Sequence, residues 1–416
     1  MKRTKILLVL LCGFILLASG CNRKDTDKDP QQNQEDIGEN TEENSEEEQM
    51  EDSEVDIQIQ SMTLRDKLGQ LFIVGFEGKD IDEDTRHLIQ DFKIGGVIFF
   101  GRNIENAEQV LELTNKLKDL NRDNEIPLFI STDEEGGKVS RLPKEFARLP
   151  EAVSIGNADN LDLSFRYGEL MGLRLKTLGF NLNYAPVMDI NSNPSNPVIG
   201  NRALGNNPEI VSKHGVQMIK GMKSIDIIPT LKHFPGHGDT SVDSHVGLPV
   251  VNKSLEEIKK FELVPFRRGI DEGAGMVMIA HILFPEIGGE YPSTMSREIM
   301  EDVLRGELGF DGVIISDDLT MGAITKNYTL EEATFKFLQS GGDIALICHG
   351  IDNINRVYEY IEDRVENGDI SMEDIDEKVR RVIELKKEYG LEDRKIETLD
   401  MKIVEDKTNE MLNILK

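Results

Sequence analysis

The sequence predicts a (β/α)8 TIM barrel formed by one α/β domain with additional C-terminal helices. Eight apolar runs of strand length recur at regular intervals after Thr63, and most are separated by stretches with helical periodicity. The repeat fills roughly 290 residues, the size of one such barrel. No Gly-x-Gly-x-x-Gly follows an early strand, which weakens the structural alternative, an open doubly wound sheet built to hold a dinucleotide.

The chain opens with Met1-Lys2-Arg3-Thr4-Lys5, continues as an apolar run to Leu17, and reaches Ala18-Ser19-Gly20-Cys21. A basic start, an apolar centre and small residues at the end describe a secretory signal over 1–20, too short and wrongly flanked for a membrane span. Cys21 directly after the small residues resembles a bacterial lipobox. That resemblance implies cleavage before Cys21, lipidation of its thiol, and an extracytoplasmic protein anchored to the bacterial cell membrane. The other cysteines are Cys12, inside the signal, and Cys348, inside an apolar run, so the mature chain has no disulfide framework and depends on a packed core.

Residues 21–60 carry fifteen Asp/Glu against three Lys/Arg, a net of −12, and few large apolar residues. Such a segment is expected to be a disordered, self-repelling tether. Of the overall charge of −29, residues 61–416 keep −20. A domain this acidic is a poor surface for nucleic acid or anionic lipid, so no nucleic-acid partner is expected.

Within 61–390 the expected strands are Leu71–Phe76, Gly96–Phe100, Leu128–Thr132, Asn181–Ala185, Ile228–Leu231, Met276–Ala280, Gly312–Ser316 and Asp343–Cys348. Helices are expected over Ala107–Leu120, Asp162–Leu178, Pro208–Ser224, Ser254–Glu272, Arg297–Glu307 and Leu330–Ser340. Past the last strand, Ile354–Val365 and Met372–Tyr389 read as amphipathic helices that close the barrel. A helical tail over 391–416 contains a third, Lys402–Leu415.

Chemistry concentrates where these strands end, the face that carries the reactive loops in such barrels. The stretch from Lys232 to His245 holds three of the seven histidines. Its His233 and His237 are four apart, a spacing that on a helix can grip zinc, but Pro235-Gly236 breaks the helix and no third ligand is suitably spaced. No metal and no cofactor are expected. Lys232 and His233 instead read as donors for a polar ligand. Asp243 and His245, two apart in an extended loop, point the same way. A carboxylate beside an imidazole favours the protonated ring and orients it, which suits a general acid/base near neutral pH; a turn with ordinary capping side chains is the plainer reading.

Asp317 ends the apolar run Gly312 to Ser316, so a buried strand delivers a carboxylate to the mouth. Burial raises its pKa, while cations such as Lys232 and Arg202 favour the ionised form. An ionised carboxylate opposite a proton donor is what a retaining glycosidase uses. Neighbouring Asp318 is assigned the structural role of a helix N-cap. Asp133 with Gly136-Gly137 reads as a tight turn that lets a carboxylate and backbone approach a ligand. Carboxylates and basic forks suit sugar hydroxyls, and with no tryptophan in the chain any stacking surface must be Phe or Tyr.

The segments Asp133-Glu134-Glu135-Gly136-Gly137, Asn201-Arg202-Ala203-Leu204-Gly205, Lys232-His233-Phe234-Pro235-Gly236-His237-Gly238-Asp239-Thr240, Asp243-Ser244-His245 and Ser316-Asp317-Asp318-Leu319-Thr320-Met321 resemble glycoside hydrolase family 3. More narrowly they are similar to its β-N-acetylhexosaminidase branch of the NagZ type, over roughly residues 62–390. The resemblance implies metal-free removal of terminal β-linked N-acetylglucosamine (GlcNAc) from peptidoglycan fragments by a retaining double displacement. It implies Asp317 as nucleophile and His245 with Asp243 as acid/base, with Asp133, Arg141, Arg202, Lys232 and His233 holding the sugar. Glu134 and Lys138 stand where relatives often have Gln and Arg, and the further C-terminal domain of many family members is expected to be missing. A monomer acting on GlcNAc-containing muropeptides is the expected form. A family 3 β-glucosidase or β-xylosidase is the enzymatic alternative; a lipoprotein that binds muropeptide without hydrolysing it is the other.

Overall fold

The computed structural model describes residues 53–245 and 247–415, without the side chains of 351 and 352. The expected signal over 1–20, Cys21 and the acidic segment to residue 52 lie outside the described residues.

Eight strands form the barrel: β1 (Phe72–Gly75), β2 (Gly96–Phe99), β3 (Phe129–Thr132), β4 (Leu182–Asn183), β5 (Ile228–Phe234), β6 (Met276–Ile279), β7 (Val313–Ser316) and β8 (Ala345–Ile347). Each pairs in parallel with its sequence neighbour from β1 to β7, and β8 pairs with β1. A parallel bridge between Ile315 and Ile344 brings β7 back to the residue before β8. The sheet therefore closes on itself. Strands covered on both faces read as continuous apolar runs, which is why length and flanking residues located them where alternation could not.

Side chains still alternate between two cores. Phe72 and Val74 pack outward against the helices, while Ile73 joins Ile98, Phe129, Leu182, Met276 and Ile315 inside the barrel. The helix Met372–Glu388 pushes Val382 and Leu385 into that inner core. Its Lys386 Nζ donates to Gln70 Oε1 and to the Gly95 carbonyl, both at 2.9 Å, and lies 4.5 Å from the Phe129 ring. Gly95 and Phe129 stand at the N-terminal ends of β2 and β3, so this helix plugs the barrel floor and leaves the strand C-termini as the open end.

Four local differences from expectation have physical causes or consequences. The segment expected to stay unordered to residue 60 contains a helix at Glu54–Ser61. Ser53 and Asp56 form a capping box, Val55 and Ile59 share one buried face, and Asp56 pairs with Arg380 of the plug helix. The single helix expected over 254–272 is two, Leu255–Lys260 and Leu263–Asp271. Pro265 has no N–H and its ring would clash with the carbonyl of Phe261, so the chain breaks there and restarts. The helix expected at 297–307 forms as a π-helix over Glu298–Glu307. Finally, β5 runs three residues beyond the expected end, so Lys232 and His233 belong to the strand itself.

The C-terminal helix Met401–Ile414 packs on the barrel helix Leu161–Thr177. Val404 and Met411 are buried there, and Lys407 to Glu169 and Arg166 to Glu410, each at 2.8 Å, flank the seam.

Candidate active site

The strand C-termini surround a cavity of about 220 Å³. Its walls come from successive strand ends: Phe100 after β2, Asp133 and Glu135 after β3, Lys232 and His233 on β5, Asp317 after β7, and Cys348 and His349 after β8. Arg141, Arg202, His237 and His245 complete the ring from loops.

One side is a lattice of buried opposite charges. Lys232 Nζ lies 2.7 Å from Asp133 Oδ1 and 2.6 Å from Glu135 Oε1. Arg202 grips Glu135 with two parallel bonds, Nε to Oε2 at 2.8 Å and Nη2 to Oε1 at 2.7 Å. Burial alone would raise the Glu135 carboxyl, but Lys232 and Arg202 outweigh it and hold it far below the usual range. Burial would likewise lower Lys232, yet Asp133 and Glu135 keep it charged. The turn that supplies Glu135 is an antiparallel hairpin, Glu134–Gly136 with Val139–Ser140, and Gly136 and Gly137 both take positive φ within it.

His233 is oriented from two sides. Its Nδ1 lies 2.6 Å from Asp189 Oδ2, and Arg202 Nη2 lies 3.3 Å from its Nε2. A guanidinium can only donate, so Nε2 accepts and the ring proton sits on Nδ1. Asp189 also takes the backbone N–H of His233 and, at 2.6 Å, that of His237. Burial works to raise its carboxyl, and the His233 imidazole with these other contacts brings it below the ordinary value. His237 bonds Thr240 and Ser244 through its two ring nitrogens, and burial lowers its pKa. The His233 and His237 rings meet edge-on with centroids 5.8 Å apart, each with hydrogen-bond partners of its own.

Asp317 sits at the end of β7, its backbone N–H donating to the Ile279 carbonyl of β6 at 2.9 Å. The Asp318 N–H donates to Asp317 Oδ1 at 2.8 Å, and Oδ2 takes no hydrogen bond among the described residues. Burial would raise this carboxyl; the imidazoles of His281 and His233, the Asp318 N–H and Lys232 together hold it below its ordinary value. An ionised carboxylate with one unengaged oxygen facing a cavity is chemically a nucleophile. Asp318 is structural, as assigned, but not as an N-cap: its Oδ1 takes the Thr320 N–H at 2.9 Å and the Cys348 N–H at 3.1 Å, which ties the turn to β8.

Asp243 and His245 lie on the loop after β5. His245 Nδ1 is 2.9 Å from Asp243 Oδ1, and the His245 backbone N–H donates to the same oxygen at 2.8 Å. The pair is held by a turn around one carboxylate oxygen, not by extended backbone. Burial works to raise the Asp243 carboxyl, and the His245 N–H and imidazole together bring it below its ordinary value. His245 remains 68 % exposed, so its free Nε2 can meet both solvent and ligand. The loop is pinned where the Ala323 N–H donates to the Ser244 carbonyl at 3.0 Å, six residues past Asp317.

The structure brings Asp133, Arg141, Arg202, Lys232, His233, His245 and Asp317 to one cavity; Asp243 reaches it through His245. The Arg141 guanidinium lies 5.8 Å from the Phe100 ring, and its buried Nε has no hydrogen-bond partner among the described residues. Glu134 turns away from the cavity toward buried Arg174, 3.4 Å away, so its difference from relatives falls behind the wall. Sequence reasoning places Glu135, Asp189 and His281 among the polar residues at strand ends but gives none of them a role in the site. It passes over Phe100 and His349, whose rings lie 5.6 Å apart on the cavity wall; Phe100 has no polar signature, whereas His349, a titratable ring directly after an apolar strand, could have been found.

Residues 63–385 match the glycosyl hydrolase family 3 N-terminal domain. A β-hexosaminidase A from Pseudoalteromonas piscicida is 38% identical over 327 residues, which is 73% of this chain and 55% of that protein. A β-hexosaminidase from Stenotrophomonas maltophilia (strain K279a) is 34% identical over 285 residues, 67% of this chain and 83% of that protein. Among solved structures, a family 3 β-N-acetylglucosaminidase from Paenibacillus sp. str. FPU-7 superposes with a TM-score of 0.80 at 37% identity, over 84% of this chain and 68% of that one. The chain thus spans little more than half the length of the Pseudoalteromonas protein and most of the Stenotrophomonas one. It belongs to glycosyl hydrolase family 3.

Proposed function

We propose that this family 3 chain is a retaining exo-β-N-acetylglucosaminidase that removes terminal β-linked GlcNAc from peptidoglycan fragments. The observation that carries the reading is Asp317, ionised with Oδ2 unengaged, in one small cavity with His245 and the Lys232–Arg202 charge lattice. Relatives described as β-hexosaminidases and β-N-acetylglucosaminidases support the N-acetyl sugar as substrate.

In this mechanism Asp317 Oδ2 attacks the anomeric carbon while His245, protonated and oriented by Asp243, gives its Nε2 proton to the departing oxygen. The glycosyl-enzyme ester then meets a water molecule whose proton returns to His245, and Asp317 leaves as carboxylate. An exposed acid/base on a loop fits this double duty, because it must meet a leaving group and then water. Asp133, Arg141, Arg202, Lys232 and His233, all on the cavity wall, hold the sugar hydroxyls. The small cavity and the absence of tryptophan favour a single terminal sugar.

We also propose that Cys21 is lipidated and the acidic segment tethers the barrel to the outer face of the membrane. Fatty-acid labelling of the cells, lost in Cys21→Ser, tests this. The activity is tested by hydrolysis of 4-nitrophenyl β-glycosides, the N-acetylglucosaminide against the glucoside. A strong preference for the N-acetyl sugar that disappears in Asp317→Ala is expected. Preference for the glucoside would move the reading to a family 3 β-glucosidase, and binding of the N-acetyl sugar without turnover to a binding lipoprotein.

A further inference from the structure

Another histidine near Asp317 is not used in the chemistry just described. His281, two residues past β6, is completely buried. Its Nε2 lies 2.9 Å from the Asp318 carbonyl, and its Nδ1 lies 3.0 Å from Thr294 Oγ1. A carbonyl only accepts, so the proton is on Nε2. Burial lowers the pKa of this ring, which leaves Nδ1 to accept from the Thr294 hydroxyl. One tautomer satisfies both nitrogens.

The consequence lies one residue away. The Asp318 carbonyl is held by His281 and the Asp318 carboxylate by Thr320 and Cys348, while the Asp318 N–H holds Asp317 Oδ1. The residue after the carboxylate is thus clamped from β6 and from β8. Rotating Asp318 would turn the N–H that aims Asp317, so the clamp determines where Oδ2 points.

We propose that His281 is a positioning residue for the reaction, holding the Asp318 turn through its Nε2–H so that Asp317 faces the anomeric carbon. This rests on the glycosidase reading above. Thr294 supports it by holding the ring in the Nε2–H tautomer. The role requires a donor at Nε2, not a charge, which separates it from a general acid.

The test uses the full chain with His281→Phe, which keeps a ring without the donor, and His281→Gln, which restores an amide N–H near Nε2. Activity is normalised to folded protein. His281→Phe is expected to lower kcat about 100-fold while KM changes by less than about threefold, since misplacing a reacting group by about 1 Å has that scale of effect. The loss should be equal on 4-nitrophenyl and methyl N-acetylglucosaminides, unlike that of an acid/base variant. His281→Gln should recover to within about tenfold of the wild type. If His281→Phe does not fold, His281→Gln and Thr294→Val carry the test, the latter with a drop in kcat of about three- to tenfold. Unchanged kcat per folded enzyme in each variant that folds would overturn the proposal, as would a loss confined to KM. A wild type without glycosidase activity would overturn the underlying reading as well.

Discussion

Both ends of this barrel bury charge, and they do so in opposite ways. At the floor, Lys386 gives its hydrogen bonds to Gln70 and Gly95, while Asp343 is satisfied by Arg305 at 2.7 Å, Arg381 at 2.9 Å and the Ile314 N–H at 2.7 Å. Those groups are enclosed. At the mouth, Lys232, Arg202, Asp133, Glu135 and Asp189 are paired as tightly, but the lattice borders an open cavity where Asp317 Oδ2 keeps unused hydrogen-bonding capacity. Buried charge marks a functional end only where some of that capacity is left for a ligand.

The sharpest way to break this comparison is to remove the unengaged oxygen. Asp317→Ala should lower kcat on 4-nitrophenyl N-acetylglucosaminide by roughly 10⁴-fold or more, with a melting temperature within a few degrees of wild type. A comparable loss on replacing floor residue Lys386 would erase the distinction. Next in size, Lys232→Ala should cost about 3–5 kcal/mol in denaturant unfolding, because it leaves buried Glu135 and half-buried Asp133 without their ammonium, and should raise KM as well. Lys386→Met should leave kcat and KM unchanged.

The two ends should also respond to opposite limbs of pH. Glu135, Asp189 and Asp317 are held below their ordinary values when folded, so the stability they contribute is present above about pH 4 and is lost as pH falls through the folded values. Lys386 is pushed down by burial to about 7. The unfolded chain therefore binds more protons between pH 7 and about 10, and stability should rise with pH there by a few kcal/mol at most. Chemical denaturation across pH checks both limbs, and Lys386→Met should flatten the upper one alone. The exposed dyad should respond through the leaving group. His245→Ala should lower turnover of methyl N-acetylglucosaminide by about 100-fold or more while sparing the 4-nitrophenyl substrate, since only a poor leaving group needs the proton. Equal losses on both would remove the acid role.

How far all this was legible in the sequence differs between the same two ends. Each of the eight strands forms within a few residues of its apolar run, because two-sided burial demands such runs. Asp317, Lys232, His233 and the Asp243–His245 pair were legible because each interrupts or follows an apolar strand with a group that can titrate or donate. Glu135 was obscured by its acidic neighbours, since only the hairpin decides that Glu134 turns to Arg174 while Glu135 meets Lys232. Asp189 and His281 act through contacts 44 and 37 residues away in the chain, and no local pattern carries those pairings. At the floor, Lys386 reads as an ordinary surface position of an amphipathic helix. Its burial follows from the barrel closing over it.

The central claim, that Asp317 is the carboxylate that becomes covalently linked to sugar, is tested most directly by trapping. The protein would be treated with a 5-fluoro N-acetylglucosaminyl fluoride, which forms the glycosyl-enzyme faster than it is hydrolysed, and then digested and mapped by mass spectrometry. The account predicts one added sugar on the peptide containing Asp317, absent in Asp317→Ala. Stable labelling of Asp133 or Asp243 instead, or steady turnover to a product of inverted anomeric configuration with no adduct, would contradict it.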